Sequence, residues 1–261
     1  MSIPKIIHYC WFGGNPKPKL AEKCIKSWKK FCPDYEIIEW NEQNFDLQQA
    51  PAYVRQAYEA KKWAFVTDYV RLYAMIAQGG IYMDTDVEVV KPLDEFLHYR
   101  AFSGFEDGIH VSTGVMACEK GHPMFQKMLQ YYDTASFYNP DGSMNLTTNV
   151  ETVTRLWLQH GLQQNNCFQL LDGIAIYPKD VFSPISYETG KLERTENTHT
   201  IHWFSGSWHT QEQKKEKKKY DAYLRREQRK YQLSRLPNKI GTAVFGEKCY
   251  GKIRRFLKGH D

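Results

Sequence analysis

The chain has 261 residues, 42% hydrophobic and 15% aromatic, with a formal net charge of +5. That composition excludes a disordered or low-complexity protein, and the length allows one sizeable core with room for a small appendage. No apolar run approaches the eighteen or so residues needed to span a bilayer, and the opening MSIPKIIHYCWF lacks the pattern of a secretory signal.

The charge is unevenly placed. Residues 214–261 hold sixteen Lys and Arg against five Asp and Glu, or +11, which leaves −6 on the remaining 213 residues. A globular part of 1–210 with a basic tail of 211–261 is therefore expected. The six cysteines, at 10, 24, 32, 118, 167 and 249, show no C-x-x-C and no zinc-like spacing. Reduced thiols in a cytoplasm are the simplest reading.

Lys5–Phe12 (KIIHYCWF) is a β-branched and aromatic run closed by Gly13-Gly14, which predicts a first strand. A helical pattern follows Pro18, from about Leu20 to Phe31, and Tyr35–Trp40 reads as a second strand. This alternation predicts βαβ units and an α/β fold with a mostly parallel central sheet. Ala64–Gln78 (AFVTDYVRLYAMIAQ) is apolar around most of its circumference and predicts a buried helix. Its two charges, Asp68 and Arg71, are three apart and share a face. Either they form an internal ion pair, or they serve a site.

Gly79-Gly80 ends that helix, and Ile81-Tyr82-Met83-Asp84-Thr85-Asp86-Val87-Glu88 reads as a strand. Residues two apart on a strand face the same way, so Asp84 and Asp86 are expected to converge. Paired carboxylates repel unless a cation lies between them, and hard oxygen ligands suit Mn²⁺ or Mg²⁺. An Asp-x-Asp alone is a weak signal; the adjoining Asp68 and Arg71 give it weight.

Strands are further predicted at 101–106 and 111–119, helices at 123–133 and 150–160, irregular segments beyond, and a last strand at 198–204. QEQKKEKKKYDAYLRREQRKYQLSR, from Gln211, predicts an exposed helix with a polar surface all round. The closing GTAVFGEKCYGKIRRFLKG mixes aromatics with Lys and Arg. Two readings stand: a segment lying on an anionic membrane surface, or a solvated basic tail. No recognition motif supports nucleic-acid binding.

The pattern T-D-x-x-R, G-G-I-Y-x-D-x-D and the opening I-P-K-I-I-H-Y-C-W-F-G-G resembles glycosyltransferase family 32, and more distantly the glucosylating domains of clostridial toxins. The resemblance implies a GT-A-like nucleotide-sugar fold and retaining transfer of a hexose from a nucleotide sugar, UDP-linked by preference. The acceptor would be a saccharide or lipid-linked saccharide, as in surface polysaccharide synthesis. Asp86 would be the direct metal ligand, with Asp84 sharing metal and ribose contacts. Asp68 and Arg71 would hold donor sugar hydroxyls, with Tyr82 counted among the donor-binding residues, and Trp11 would stack on the uracil ring. In the late segment His202 is the candidate third metal ligand, and Ser207 or Trp208 would contact the β-phosphate. Where many relatives carry an Asn, this chain reads Val111-Ser112-Thr113-Gly114, so Ser112, Thr113 or an exposed Glu106-Asp107 is expected to meet the acceptor. A metal-dependent nucleotidyl- or phosphotransferase is the rival enzyme class, although no Walker loop is present. A non-catalytic protein whose tail docks on acidic polymers is the other rival.

Overall fold

The computed structural model describes residues 3–186 and 189–206. Ser207, Trp208 and the basic segment from residue 211 onward lie outside the described residues. Residues 3–185 and 192–206 belong to one compact unit.

The β-branched start forms β1 (Ile6–Cys10). After Pro18, α1 (Lys19–Phe31) buries Ala21, Cys24 and Trp28 along one face and turns its lysines outward. β2 (Glu36–Trp40), α2 (Ala52–Glu59) and α3 (Trp63–Gln78) follow. α3 stops because Gly79, at φ +73°, takes the left-handed backbone that favours glycine, while its amide still reaches Met75 O. The chain turns at once into β3 (Gly80–Met83). Then come β4 (Val87–Val89), β5 (Ala101–Phe105) and β6 (Val111–Cys118). α4 (Pro123–Thr134) has Pro123 in its first turn and the His122 ring capping Met124 N at 3.2 Å. α5 (Asn149–Gln159), β7 (Gln169–Leu171), β8 (Ile174–Tyr177), α6 (Lys179–Phe182) and β9 (Thr200–His202) complete the described chain.

Seven strands form one sheet in the order β2-β1-β3-β6-β5-β8-β7. β1 is parallel to β2 and β3, and β5 is parallel to β8; β6 runs antiparallel to β3 and β5, and β7 to β8. Five of the seven strands thus point one way, as the βαβ alternation predicts. β4 leaves this sheet and pairs antiparallel with β9, Val87 opposite His202.

Strand alternation divides the core into two layers. Ile81 and Met83 face the layer built on α1, with Val115 and Ala117 of β6. Tyr82 faces the other, with Met116, Cys118 and the apolar side of α3, α4 and α5. Trp28 is fully buried in the first layer and its indole donates to Val87 O at 2.7 Å, fastening α1 to β4. Among the described residues no helix is long and apolar enough to cross a membrane.

Two expectations are corrected. Asp84 and Asp86 do not share a strand face: β3 ends at Met83, and a turn closed by Val87 N to Asp84 O at 3.0 Å carries both carboxylates. The β-branched run Ile81–Val89 looks continuous, but β4 pairs with a strand more than a hundred residues later, invisible to local pattern. The stretch read as irregular contains β7 and β8: β8 lies parallel against Ala101–Gly104 of β5, and β7 pairs antiparallel with β8.

Candidate active site

The site lies where β1, β3 and β6 end or pass and where β9 meets β4. Asp84 is held from four sides. Its amide donates to Gly114 O at 2.9 Å, and its Oδ1 accepts from Tyr82 Oη at 2.9 Å with Arg71 Nη1 at 3.4 Å. Its Oδ2 is 3.9 Å from His202 Nε2. Asp86 has Oδ1 3.3 Å from the same nitrogen, and its Oδ2 accepts from Ser205 N at 2.7 Å. One ligand atom each from Asp84, Asp86 and His202 lie within 4.8 Å of one another.

These charges explain one another. Burial alone would raise the Asp86 carboxyl, but the facing His202 and the Ser205 amide outweigh it and hold it well below the usual range. Burial alone would lower the His202 imidazole, yet Asp86, then Asp84 and Glu106, bring it up to about 9. His202 and the two carboxylates thus offset one another across 3.3–3.9 Å. Two carboxylates and an imidazole nitrogen are a donor set that could hold a divalent metal.

Beneath the turn, Arg71 is 5% and Asp68 8% exposed. Burying both charges requires full pairing, and α3 supplies it. Arg71 Nη2 meets Asp68 Oδ1 at 2.9 Å, Nη1 donates to Thr113 O at 2.7 Å, and Nε to Thr67 O at 3.2 Å. The guanidinium also covers the Tyr82 ring, 4.6 Å from its centroid. Asp68 Oδ1 further accepts from Asn149 Nδ2 at 2.7 Å, while Asn149 Oδ1 accepts from Thr113 Oγ1 at 3.0 Å. Burial still lifts the Asp68 carboxyl to about 7 against the pull of Arg71, with Asp84 adding to the rise.

Six of the residues singled out in the sequence thus come together: Asp68, Arg71, Tyr82, Asp84, Asp86 and His202. Tyr82 is buried, with its hydroxyl committed to Asp84. Trp11 stands just past the end of β1, its indole donating to Asn15 O at 2.6 Å and Lys17 Nζ lying 5.7 Å from its ring. Ser112 and Thr113 are buried. Glu106 is partly buried rather than exposed, and burial raises its carboxyl. Ser207 and Trp208 lie outside the described residues. Sequence reasoning missed Asn149, which looks like an ordinary polar residue at a helix start, and Gly114, at which a Cβ would come 2.7 Å from His202 Cε1.

Residues 18–103 match the family described as a glycosyltransferase sugar-binding region containing a DXD motif. Over those residues the chain is similar to this family. The DXD of that description corresponds to Asp84-Thr85-Asp86, within the matched residues. Among curated relatives of this DXD chain, inositol phosphoceramide mannosyltransferase 3 of Schizosaccharomyces pombe is 32% identical over 133 residues, 49% of this chain and 37% of its own. Inositol phosphoceramide mannosyltransferase 2 of the same yeast is 28% identical over 181 residues, 67% of this chain and 52% of its own. The chain thus spans about half or less of the length of these relatives. Among solved structures, the PaToxG glycosyltransferase aligns with a TM-score of 0.47 at 21% identity, over 60% of this chain and 68% of that one. The galactosyltransferase LgtC aligns at 0.40 and 13% identity, over 84% and 94%.

Proposed function

We propose that the protein is a metal-dependent, retaining glycosyltransferase that moves a hexose from a nucleotide sugar to a saccharide or lipid-linked saccharide. The observation that carries this reading is the convergence of Asp84, Asp86 and His202 above the buried Asp68–Arg71 pair. A divalent cation bound to the first three supplies charge neutralisation for a leaving diphosphate. The remaining chemistry belongs to the chain. Arg71 fixes both Asp68 and Asp84, so the sugar and phosphate sides of the site are held by one guanidinium. Asp68, anchored by Arg71 and Asn149, presents its remaining acceptor capacity to sugar hydroxyls. In the transfer the C1–O bond to the diphosphate breaks as the acceptor oxygen bonds to C1 on the same face. The acceptor proton passes to the departing phosphate.

UDP is the nucleotide that the family resemblance implies, and the names of the yeast relatives, inositol phosphoceramide mannosyltransferases, support a hexose and a lipid-borne acceptor. The +11 charge of residues 214–261 supports attachment to an anionic membrane surface beside such an acceptor. Full-length protein should sediment with anionic liposomes at low salt and release at high salt.

The deciding experiment is a panel of UDP- and GDP-hexoses with Mn²⁺ or Mg²⁺, scored for sugar release and nucleoside diphosphate. Turnover should vanish in EDTA, return with metal, and be lost in Asp86→Asn with the fold intact. Full activity in EDTA overturns the metal role, and release of pyrophosphate in place of a nucleoside diphosphate favours the nucleotidyltransferase class. Trp11→Ala should weaken UDP binding by about 1–3 kcal/mol, the range for a base stacked on an aromatic ring; unchanged affinity returns Trp11 to a packing role.

A further inference from the structure

His202 uses only one of its ring nitrogens in the cluster. Nε2 faces Asp86 and Asp84, while Nδ1 is buried and has no hydrogen-bond partner among the described residues. Buried polar groups are almost always satisfied, and a metal-ligating histidine usually gives its second N–H to a carboxylate, a carbonyl or a water. Nδ1 lies over a tight notch at Gly114, where a Cβ would stand only 2.9 Å from it and 3.1 Å from Asp84 Oδ2. Beside that notch runs a polar relay: Gly114 N donates to Ser112 Oγ at 3.1 Å, and Ser112 Oγ donates to Glu106 Oε2 at 3.2 Å. Among the described residues Glu106 Oε1 accepts no hydrogen bond.

We propose that Glu106 is a positioning residue for the cation site: through one water its carboxylate takes the Nδ1–H of His202 and so keeps Nε2 aimed at Asp84 and Asp86. This rests on the reading of those three residues as a metal site. Glu106 touches neither substrate nor metal; it acts through His202. The relay also explains why position 114 is glycine and position 112 serine. A side chain at 114 would fill the notch, and Ser112 holds the carboxylate beside it.

The test is Mn²⁺ binding to the full-length protein without donor, followed by the loss of the free-ion EPR signal. Wild type should bind, and Asp86→Asn should not. Glu106→Ala should bind about 10–100-fold more weakly, the usual effect of losing an outer partner. Glu106→Gln, which keeps the size of the side chain and guards against a folding defect, should fall between. With Mg²⁺ bound, ¹⁵N NMR of the His202 ring should show a hydrogen-bonded Nδ1–H in wild type, and that Nδ1 resonance should shift in Glu106→Ala. If both variants bind Mn²⁺ as wild type does while Asp86→Asn fails, the metal site stands and the role given to Glu106 is overturned. If wild type itself binds no Mn²⁺, the metal reading falls and this inference with it.

Discussion

Arg71 is the residue on which the site turns, because two carboxylates, two backbone carbonyls and an aromatic face share one guanidinium. Removing it strands Asp68 and Asp84 in a poorly hydrated place, and breaking a buried pair costs about 3–5 kcal/mol. Arg71→Ala should therefore lower the melting temperature markedly. Arg71→Lys keeps the charge but loses the fork that reaches both carboxylates, so it should stay folded yet transfer sugar poorly. Asp68→Asn should keep UDP affinity and lose transfer. Wild-type activity per folded molecule in Arg71→Lys and Asp68→Asn would make the pair structural only. Burial of Asp68 and Arg71 was legible in the apolar circumference of their helix, because a charge in such a setting needs a partner. Asn149 was not, because nothing local distinguishes an amide that caps a helix from one that reaches across to another.

At the scale of elements, the joint between α3 and β3 carries the site and rests on His8. Its Nδ1 accepts from Trp40 Nε1 at 3.1 Å, so the ring proton sits on Nε2, which donates to Gly79 O at 2.7 Å. Burial pushes its pKa below the ordinary 6.5, the Gly79 carbonyl only partly opposing. The folded state thus binds fewer protons than the unfolded chain below that pH. His8 contributes fully above pH 6.5, and stability should fall as the pH drops below it. Denaturant titrations of wild type and His8→Gln should show a shallower acid slope in the variant, and equal slopes would exclude His8. Gly80 has φ +114°, and a Cβ would come 2.7 Å from Ile6 O. Gly80→Ala should cost about 2–5 kcal/mol, combining about 1–2 for the left-handed backbone with about 1–3 for overpacking. The two glycines and the helix before them could be read locally, since punctuation and periodicity are local. The turn at Asp84–Asp86 could not, because only β9, far along the chain, pulls β4 out of the sheet.

On the scale of the molecule, the sheet's direction follows from the alternation of strands and helices, whereas the closing of the site depends on a late segment returning to an early one. β9 brings His202 against Val87, Trp203 N donates to Asp86 O at 3.1 Å, and the Trp203 indole reaches Glu88 at 3.0 Å. A metal held by Asp84, Asp86 and His202 would therefore clamp two segments that local structure does not join. Binding to the folded state alone stabilises it by about 2.7 kcal/mol at one hundred times the dissociation constant. For a domain of this size about 1 kcal/mol moves the melting temperature by about 2–4 °C, so saturating Mn²⁺ should raise it by about 5–11 °C. Asp86→Asn should show no such rise. Hydrogen exchange should locate the effect: protection should grow at residues 84–89 and 199–206 and stay level in α2 and α4. A uniform gain across the sheet, or the same rise in Asp86→Asn, would mean that the ion binds elsewhere and that β9 is held by packing and backbone pairing alone.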